Sequence, residues 1–306
     1  MNSNVPKTLH FAGHQTFPLR HNWLTKAADI IKINNQALMN SEYCMKELGV
    51  GINMVDSIKH WAESTQLFFR EKDQNTFIHS LSKEGKYLFS KDRPYDRYLE
   101  NIDTIWYIHY LICKNFKKNA LWFYMFNIFT SSTFTKDSFI NKFDFWINEN
   151  NLNKPSDHTM NKDFLCIVNM YSKFKNLNSD DFENSLICPF RELRLIDFNN
   201  ETKEYSLRIL KNKEFSTDFF SYTVLDFIQD DDSTISINSL LNDIGSPGQI
   251  LRLNEIVLVD YLLDFINKFE DVFEFDDTIG NKQLLVKNDF DKEKLKWNSF
   301  KKFAKI

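Results

Sequence analysis

The 306-residue chain contains little glycine, proline and cysteine, with 7 Gly, 6 Pro and 4 Cys. Because β-sandwiches and barrels need many tight turns, this composition argues against an all-β fold. No apolar run reaches the roughly 20 residues that span a bilayer, since the most apolar region, residues 105–129, is interrupted by Lys114, Lys117 and Lys118. We expect helices joined by polar loops, with two buried helices in that region.

Several chemical signatures are missing as well. The cysteines are far apart and form no CxxC or Cys/His cluster, so we expect no structural zinc. The N-terminal residues lack the apolar core of a signal peptide, and we expect a reduced, cytoplasmic protein. The motifs GxxxxGK[ST], GxGxxG, GxSxG and HExxH do not occur. Their absence argues against nucleotide hydrolysis by this chain, and no cofactor is evident.

Charge is divided unevenly along the chain. The net charge is −4, from 38 basic and 42 acidic residues. Residues 1–150 carry 18 basic and 15 acidic side chains, whereas residues 151–306 carry 20 and 27. Overall acidity argues against non-specific coating of nucleic acid, because that affinity requires a basic surface. A local basic face in the first half remains open.

A helix-turn-helix pattern lies in the first third of the chain. Ser41 is expected to cap a short helix, residues 49–51 to form a tight turn, and Asn53 to cap a second helix with Asp56 as its capping-box partner. Residues 67–81 then offer two short alternating strands around a polar turn. A helix-turn-helix followed by a hairpin predicts a winged helix.

The outer face of that second helix is the predicted DNA contact. We expect the apolar side chains to face inward and Asp56, Ser57, Lys59, His60 and Glu63 to face outward. Phosphate contacts would come from the hairpin. The mixed charge leaves an alternative open, in which the module binds protein or is purely structural. The residues expected to contact DNA, with one from a second module, are Asn53, Lys59, His60, Arg70, Lys72 and Lys162.

A weaker copy of the pattern follows. Thr135 is expected to start an amphipathic helix, residues 160–171 to form another with Lys162 at its exposed start, and residues 186–209 to close with a helix, a turn and a strand. We predict a mainly α chain with small β-wings, an α+β class: two winged-helix-like modules plus a C-terminal, mostly helical region with one short strand. The predicted domains are 1–93 with a His/Arg loop and a winged helix-turn-helix, 94–210 with a helical core and the second module, and 211–306.

The N-terminal loop holds the best candidates for catalysis. His10, His14, Arg20 and His21 lie close in sequence, where an imidazole can exchange protons near neutral pH and a guanidinium can grip a phosphate. Of these, His14, Arg20 and His21 are the predicted catalytic residues. The alternative is that the loop satisfies buried polar groups beneath a helix. Cleavage of a phosphodiester would also need a metal such as Mg²⁺ or Mn²⁺ or a general base, with a nucleophile in line with the bond and a cation on the leaving group. Asp230, Asp231 and Asp232 form a candidate run, although consecutive acids are more typical of a solvated loop, and the metal ligands stay unknown.

Five blocks of the sequence resemble successive motifs of one bacterial family. They are collinear and span nearly the whole chain: GHQTFPLRHNWLTKA (13–27), LGVGINMVDSIKHWAESTQL (48–67), ICPFRELRLI (187–196), FFSYTVLDF (219–227) and GSPGQILRLNEIVLVDYL (245–262). They resemble the domain-of-unknown-function family 4007, DUF4007. The positions that match its motifs are Gly13, His14, Phe17, Arg20, Trp23, Lys26, Gly49, Gly51, Asn53 and Trp61.

The resemblance implies a role in bacterial DNA modification and anti-phage defence. Members are encoded beside a PAPS-reductase-like sulfur-transfer protein and ATPases in DNA phosphorothioation systems. The implied function is a DNA-binding component, with nicking of DNA so that sulfur can replace a phosphate oxygen. Asp56 and His60 stand where more basic character is expected in relatives. Two alternatives remain: a non-enzymatic adaptor that positions DNA for those partners, and a transcriptional regulator that dimerises and reads a palindrome.

Overall fold

Helices form most of the described chain, and three small antiparallel sheets lie among them. The computed structural model describes residues 9–90, 95–172, 188–278 and 281–305. The predicted α+β class, mainly helical with small sheets, is confirmed. Within the described ranges, no helix is both long and apolar enough to cross a membrane.

The first unit combines four α-helices with a two-stranded hairpin. Its elements are α1 (Trp23–Ile33), a 3-10 helix (Ala37–Met39), α2 (Ser41–Leu48), α3 (Ile52–Ser64), β1 (Phe68–Asp73), β2 (Thr76–Leu81) and α4 (Lys83–Phe89).

The turn between α2 and α3 lies where it was predicted, but the helix caps differ. The side chain of Asn40, rather than Ser41, accepts the capping hydrogen bond of α2. Helix α2 ends at Gly49, whose φ of 64° lies in the left-handed region that glycine adopts without strain. Helix α3 follows Gly51 and has no side-chain cap, so the predicted capping role of Asn53 is wrong. The extended backbone at Gly51 starts the helix before Asn53 is reached.

The hairpin places its basic residues on a face that turns toward α3. In the antiparallel register Arg70 lies opposite His79, and Lys72 lies opposite Phe77. Because side chains two residues apart share a face, these four project to the same side of the hairpin. His79 is 2% exposed and its Nε2 lies 3.1 Å from Glu63 of α3. The face of the hairpin that carries Arg70 and Lys72 therefore also contributes His79 to the contact with α3.

Two apolar helices occupy the middle of the chain. These are α5 (Ile102–Lys114) and α6 (Ala120–Asn127), and most of their side chains are buried. Trp106 and Trp122 are fully enclosed, at 0% and 1% exposure. The prediction of two buried helices in this region is confirmed.

The second unit adds a three-stranded sheet to two long helices. Its elements are β3 (Thr133–Phe134), α7 (Lys136–Glu149), α8 (Asp157–Tyr171), a 3-10 helix (Pro189–Leu193), β4 (Ile196–Asn199) and β5 (Glu204–Leu207). The strand order is β3-β5-β4. Thr135 caps α7 in a capping box with Ser138, as its position predicted. Helix α8 starts before residue 160, so Asp163 lies beyond its first turn and is buried.

The third unit has more strands than the sequence predicted. Its elements are α9 (Thr217–Phe227), β6 (Thr234–Ser236), α10 (Ile237–Asn242), α11 (Pro247–Ile250), α12 (Glu255–Lys268), β7 (Phe273–Thr278), β8 (Asn281–Val286) and α13 (Lys292–Phe303). The prediction of one strand here identified β8 and missed β6 and β7. Strand β6 has only three residues, and β7 alternates Phe with acidic residues, so neither has an extended apolar pattern.

The second and third units share one order of elements. A helix, a strand, further helices and a hairpin follow each other, and the first strand pairs with the last in both sheets. In the first unit, a single hydrogen bond takes the place of this strand pairing: the His79 N–H of the hairpin donates to the carbonyl of Asn35, which follows α1, at 2.8 Å. The winged-helix assignment and the domain boundaries stay predictions.

Candidate nucleic-acid interface

The N-terminal loop, residues 9–22, is held against α3 by hydrogen bonds to its backbone carbonyls. Ser57 Oγ donates to the His14 carbonyl at 2.5 Å, and Trp61 Nε1 donates to the Phe17 carbonyl at 3.0 Å. Ser57 and Trp61 are fully buried. The loop therefore covers part of the helix face that was expected to point outward.

His14 lies inside this contact, and both of its ring nitrogens are engaged. Its Nδ1 accepts from the Thr16 N–H at 3.0 Å, so the proton is on Nε2, which donates to Asp163 Oδ1 at 2.8 Å. The ring stacks on Trp61 at a centroid distance of 6.0 Å and is 1% exposed. A ring without a free lone pair cannot take a proton from a substrate in this conformation. The geometry matches the structural alternative for His14.

Gly13 allows the loop to approach His60 closely. A Cβ placed on Gly13 would lie 2.4 Å from His60 Nδ1. The His60 ring is 9% exposed, and its Nε2 lies 3.3 Å from Ser64 Oγ. Burial holds the pKa of His60 well below its usual range, and the nearby charge of Lys118 acts in the same direction. The helix face at His60 is thus an internal contact.

Gly13→Ala should lower the free energy of unfolding by about 1 to 3 kcal/mol, because the new methyl group overpacks the buried His60 ring. Urea unfolding followed by tryptophan fluorescence measures the change. Gly51→Ala is the matched control, since a Cβ at Gly51 meets nothing within 4 Å.

The source of this effect can be tested by removing the ring. In a His60→Ala background the loss caused by Gly13→Ala should shrink, because the clash no longer exists. An equal loss in both backgrounds would show that the loop does not approach α3 in this way.

The three predicted catalytic residues make different contacts. The Arg20 guanidinium lies over the Trp23 ring at 5.1 Å, and burial lowers its pKa. His21 Nδ1 donates to the Tyr98 carbonyl at 2.9 Å, whereas His14 points to Asp163. Their catalytic role stays a prediction.

A buried carboxylate connects α3, the hairpin and the loop between α5 and α6. Glu63 accepts from His79 Nε2 at 3.1 Å and from Lys118 Nζ at 2.5 Å. Burial alone would raise the pKa of Glu63, but the hydrogen bonds from His79 and Lys118 and the Lys118 charge lower it to about 2. Glu63, which was expected to face outward, is 8% exposed. It anchors Lys118 beside the hairpin.

Basic side chains meet at this junction and form a surface that we call the basic edge. The charges of Arg70 and Lys118 act on Lys59, and those of Lys118 and Lys117 act on His10. Burial, reinforced by these positive charges, lowers the pKa of both Lys59 and His10, although Glu63 acts on both in the opposite direction and Asp56 does so on Lys59. The His10 N–H also donates to the Lys117 carbonyl at 3.0 Å. The basic edge consists of His10, Lys59, Arg70, Lys117 and Lys118.

The structure distributes the predicted DNA contacts unevenly. Arg70 and Lys72 are exposed on the hairpin, and Asn53 is exposed in the first turn of α3. Lys59 is half-buried. Lys162 is half-buried on α8.

The expectation that His60 faces outward is wrong. Ser57, His60 and Glu63 are all buried, because the N-terminal loop and the loop between α5 and α6 cover that side of α3. Sequence periodicity identified the apolar side of the helix, but it cannot show that a distant loop packs on the other side.

Three members of the basic edge were missed in the sequence. Lys117 and Lys118 were noted only as interruptions of an apolar region, and His10 only as part of the histidine loop. A usable signal existed, since a short polar loop between two buried helices must bring its lysines to the surface. Their approach to Arg70 depends on long-range packing.

The fold defines an α+β protein that is built from successive units of helices and a hairpin. The basic edge lies at the first of these units. The chain belongs to the family described as Protein of unknown function (DUF4007), whose model matches residues 11–302. This confirms the family resemblance that the sequence motifs indicated.

Two solved structures are similar to the chain. One is described as the SspB crystal structure, with a TM-score of 0.85 and 24% identity over 97% of this chain and 88% of that one. The other is the magnesium ion-bound SspB crystal structure, with a TM-score of 0.86 and 24% identity over 98% of this chain and 90% of that one. At this identity the likeness shows a shared fold. No match was found among curated proteins.

Magnesium in the second of these structures raises the question of a metal site here. In the ranges that the structure describes, no group of three or more His, Cys, Asp or Glu side chains could hold a metal ion. Asp230, Asp231 and Asp232 line a cavity of about 710 Å³, where Asp230 pairs with Lys292 at 2.5 Å. The described residues do not fit a metal centre made by protein ligands alone. We derive no catalytic step through a metal.

Proposed function

We propose that this protein is a DNA-binding component of a bacterial phosphorothioation-type defence system and that the basic edge contacts the phosphate backbone. Membership of the DUF4007 family and the SspB-like fold support the system. The convergence of basic side chains from four separate segments supports the DNA contact. The observation that carries the proposal is this convergence on a chain whose net charge is −4.

The charges of the basic edge are available to a ligand. Lys118 is paired with Glu63, but Lys59, Arg70 and Lys117 have no ion-pair partner among the described residues. Arg70 packs over the Phe77 ring at 4.0 Å, which orients its guanidinium on the exposed hairpin. Lysine and arginine contacts to phosphate release counterions and supply affinity that does not depend on sequence. A duplex or a single strand could both be bound in this way.

Within this function, the geometry favours positioning of DNA over cleavage. Both ring nitrogens of His14 are occupied, and Arg20 and His21 point to other partners. The protein would then present DNA to a sulfur-transfer protein of the PAPS-reductase type and to ATPases, with the acidic second half available for docking them. Nicking by this chain stays the alternative.

Arg70→Glu combined with Lys117→Glu should weaken DNA binding at least about tenfold and reduce the slope of log affinity against log salt by about two, because two phosphate contacts are lost. Fluorescence anisotropy with labelled duplex and single-stranded DNA at graded salt measures both. Lys46→Glu with Lys211→Glu is the control, since it makes the same charge change at exposed positions elsewhere.

Two results would count against the proposal. Affinity that is insensitive to salt would remove the phosphate contact, and equal losses in the two double variants would show an effect of net charge alone. A supercoiled plasmid with Mg²⁺ or Mn²⁺ tests the alternative in parallel. Relaxed circles produced by the natural protein, and lost in His14→Ala and Arg20→Ala, would assign nicking to this chain.

A further inference from the structure

A second basic site lies far along the chain from the basic edge. A cavity of about 490 Å³ is bordered by α4, by Tyr95, and by the last turns of α12 and α13. Its volume is in the range of small-molecule pockets. The side chains that give it chemical character are Tyr87, Tyr95, Lys268, Lys301, Lys302 and Lys305.

Three of the four lysines of this pocket are not paired with a carboxylate in the part of the chain that the structure describes. Lys268 pairs with Asp218, and its Nζ lies 3.3 Å from Ser299 Oγ. Lys301, Lys302 and Lys305 have no ion-pair partner among the described residues. Burial, opposed by Asp218 and reinforced by the Lys302 charge, lowers the pKa of Lys268. An anion in the pocket would relieve this repulsion.

Stabilisation of the helix ends does not account for the whole arrangement. A lysine in the last turn favours the negative end of a helix, and α12 and α13 both end with lysines. Stabilising the two helix ends would not require the lysines of α12 to lie near those of α13, and it would not require aromatic rings beside them. Here the lysines of both helices and Lys305 border one cavity together with Tyr87 and Tyr95.

Tyr87 and Tyr95 form a flat aromatic wall of the pocket. The rings of Tyr87 and Tyr95 stack at a centroid distance of 3.8 Å with an angle of 3° between their planes. Trp297 packs edge-on against Tyr87 at 5.4 Å, and Lys83 Nζ lies 3.8 Å above the Trp297 ring. An outer face of such a stacked pair can stack with a planar ring of a ligand.

The end of α13 is also held in place. Asn101 Nδ2 donates to the carbonyls of Phe303 and Lys305 at 2.8 and 2.9 Å. The backbone that carries the terminal lysines is therefore tied to the start of α5. A pocket whose walls are already ordered loses less entropy when it binds a ligand.

We propose that this pocket binds a nucleotide, with its phosphate on Lys301, Lys302 and Lys305 and its base against the tyrosine wall. The inference goes beyond the proposed function, because the pocket shares no residue with the basic edge. The nucleotide is either free or the 5′-terminal nucleotide of a DNA strand, and both present the same phosphate and ring.

Isothermal titration calorimetry of the full chain with adenosine 5′-monophosphate, adenosine and inorganic phosphate tests the proposal. The monophosphate should bind more tightly than either fragment. Lys302→Glu with Lys305→Glu should weaken it about tenfold or more, because charge-assisted contacts to the phosphate are lost. Tyr95→Ala should weaken the monophosphate and leave inorganic phosphate unchanged. Thermal melting checks that each variant is folded.

The control variants and the results that would contradict nucleotide binding differ from those that test DNA binding. Lys46→Glu with Lys211→Glu should bind the monophosphate normally, and so should Arg70→Glu with Lys117→Glu. No binding of the monophosphate, or equal affinity for adenosine, would overturn the proposal. An affinity for the monophosphate that is the same in the Lys302→Glu, Lys305→Glu double variant as in the natural protein would also overturn the proposal. Tighter binding of a 5′-phosphorylated oligonucleotide than of the monophosphate would assign the pocket to strand ends, and the reverse to free nucleotides.

Discussion

Asp163→Ala should lower the free energy of unfolding by about 3 to 5 kcal/mol, because the substitution leaves the buried His14 N–H and the half-buried Ala12 N–H without an acceptor. Asp163 Oδ1 accepts from His14 Nε2 at 2.8 Å and from the Ala12 N–H at 2.9 Å. His14 and Asp163 are 1% and 3% exposed. Urea unfolding followed by tryptophan fluorescence measures the loss, and hydrogen exchange should show faster exchange of the loop amide at Ala12.

Two further variants separate the possible causes of this loss. Asp163→Asn keeps an Oδ1 that can accept both hydrogen bonds, so it should lose clearly less than Asp163→Ala. Asp157→Ala removes an exposed carboxylate from the same helix and should change stability by less than about 1 kcal/mol. If Asp163→Asn were as harmful as Asp163→Ala, the contact would be an ion pair with a protonated His14. The tautomer inferred from the Thr16 N–H would then be wrong.

Much of the fold could be predicted from local sequence signals. Helix α2 occupies the predicted residues, Thr135 caps α7, and the hairpin follows α3 at the expected place. These features depend on neighbouring residues: capping groups, helical periodicity and turn composition. Predictions failed where an element was short, as in β6, or carried a weak apolar pattern, as in β7.

The site was less predictable, because it depends on contacts between distant parts of the chain. His14 was identified as unusual, but its partner Asp163 is 149 residues away. Glu63 and Lys118 are separated by 55 residues. Periodicity gave the apolar face of α3 correctly and could not show which loop would cover its polar face. The buried polar contacts therefore appear only in the folded chain.

Acid should destabilise the protein partly through Glu63. The pKa of Glu63 is about 2 in the folded protein against an ordinary value of 4.5. A carboxyl whose pKa is depressed by folding stabilises the native state above its unfolded pKa, and this contribution disappears as the pH falls through the folded value. The expected contribution is about 3 kcal/mol at pH 7, with the loss between about pH 5 and pH 2.

Glu63→Gln isolates this contribution, because glutamine keeps the shape of the side chain and does not titrate. The natural protein should be more stable than the variant near neutral pH, and the difference should shrink steadily as the pH falls below about 5. Urea unfolding at a series of pH values gives the difference directly. Glu42→Gln, at an exposed position on α2, serves as the control and should show no such trend. A difference that stayed constant with pH would mean that Glu63 does not ionise differently in the folded and unfolded chain, and Lys118 would then lack the anchor that places it on the basic edge.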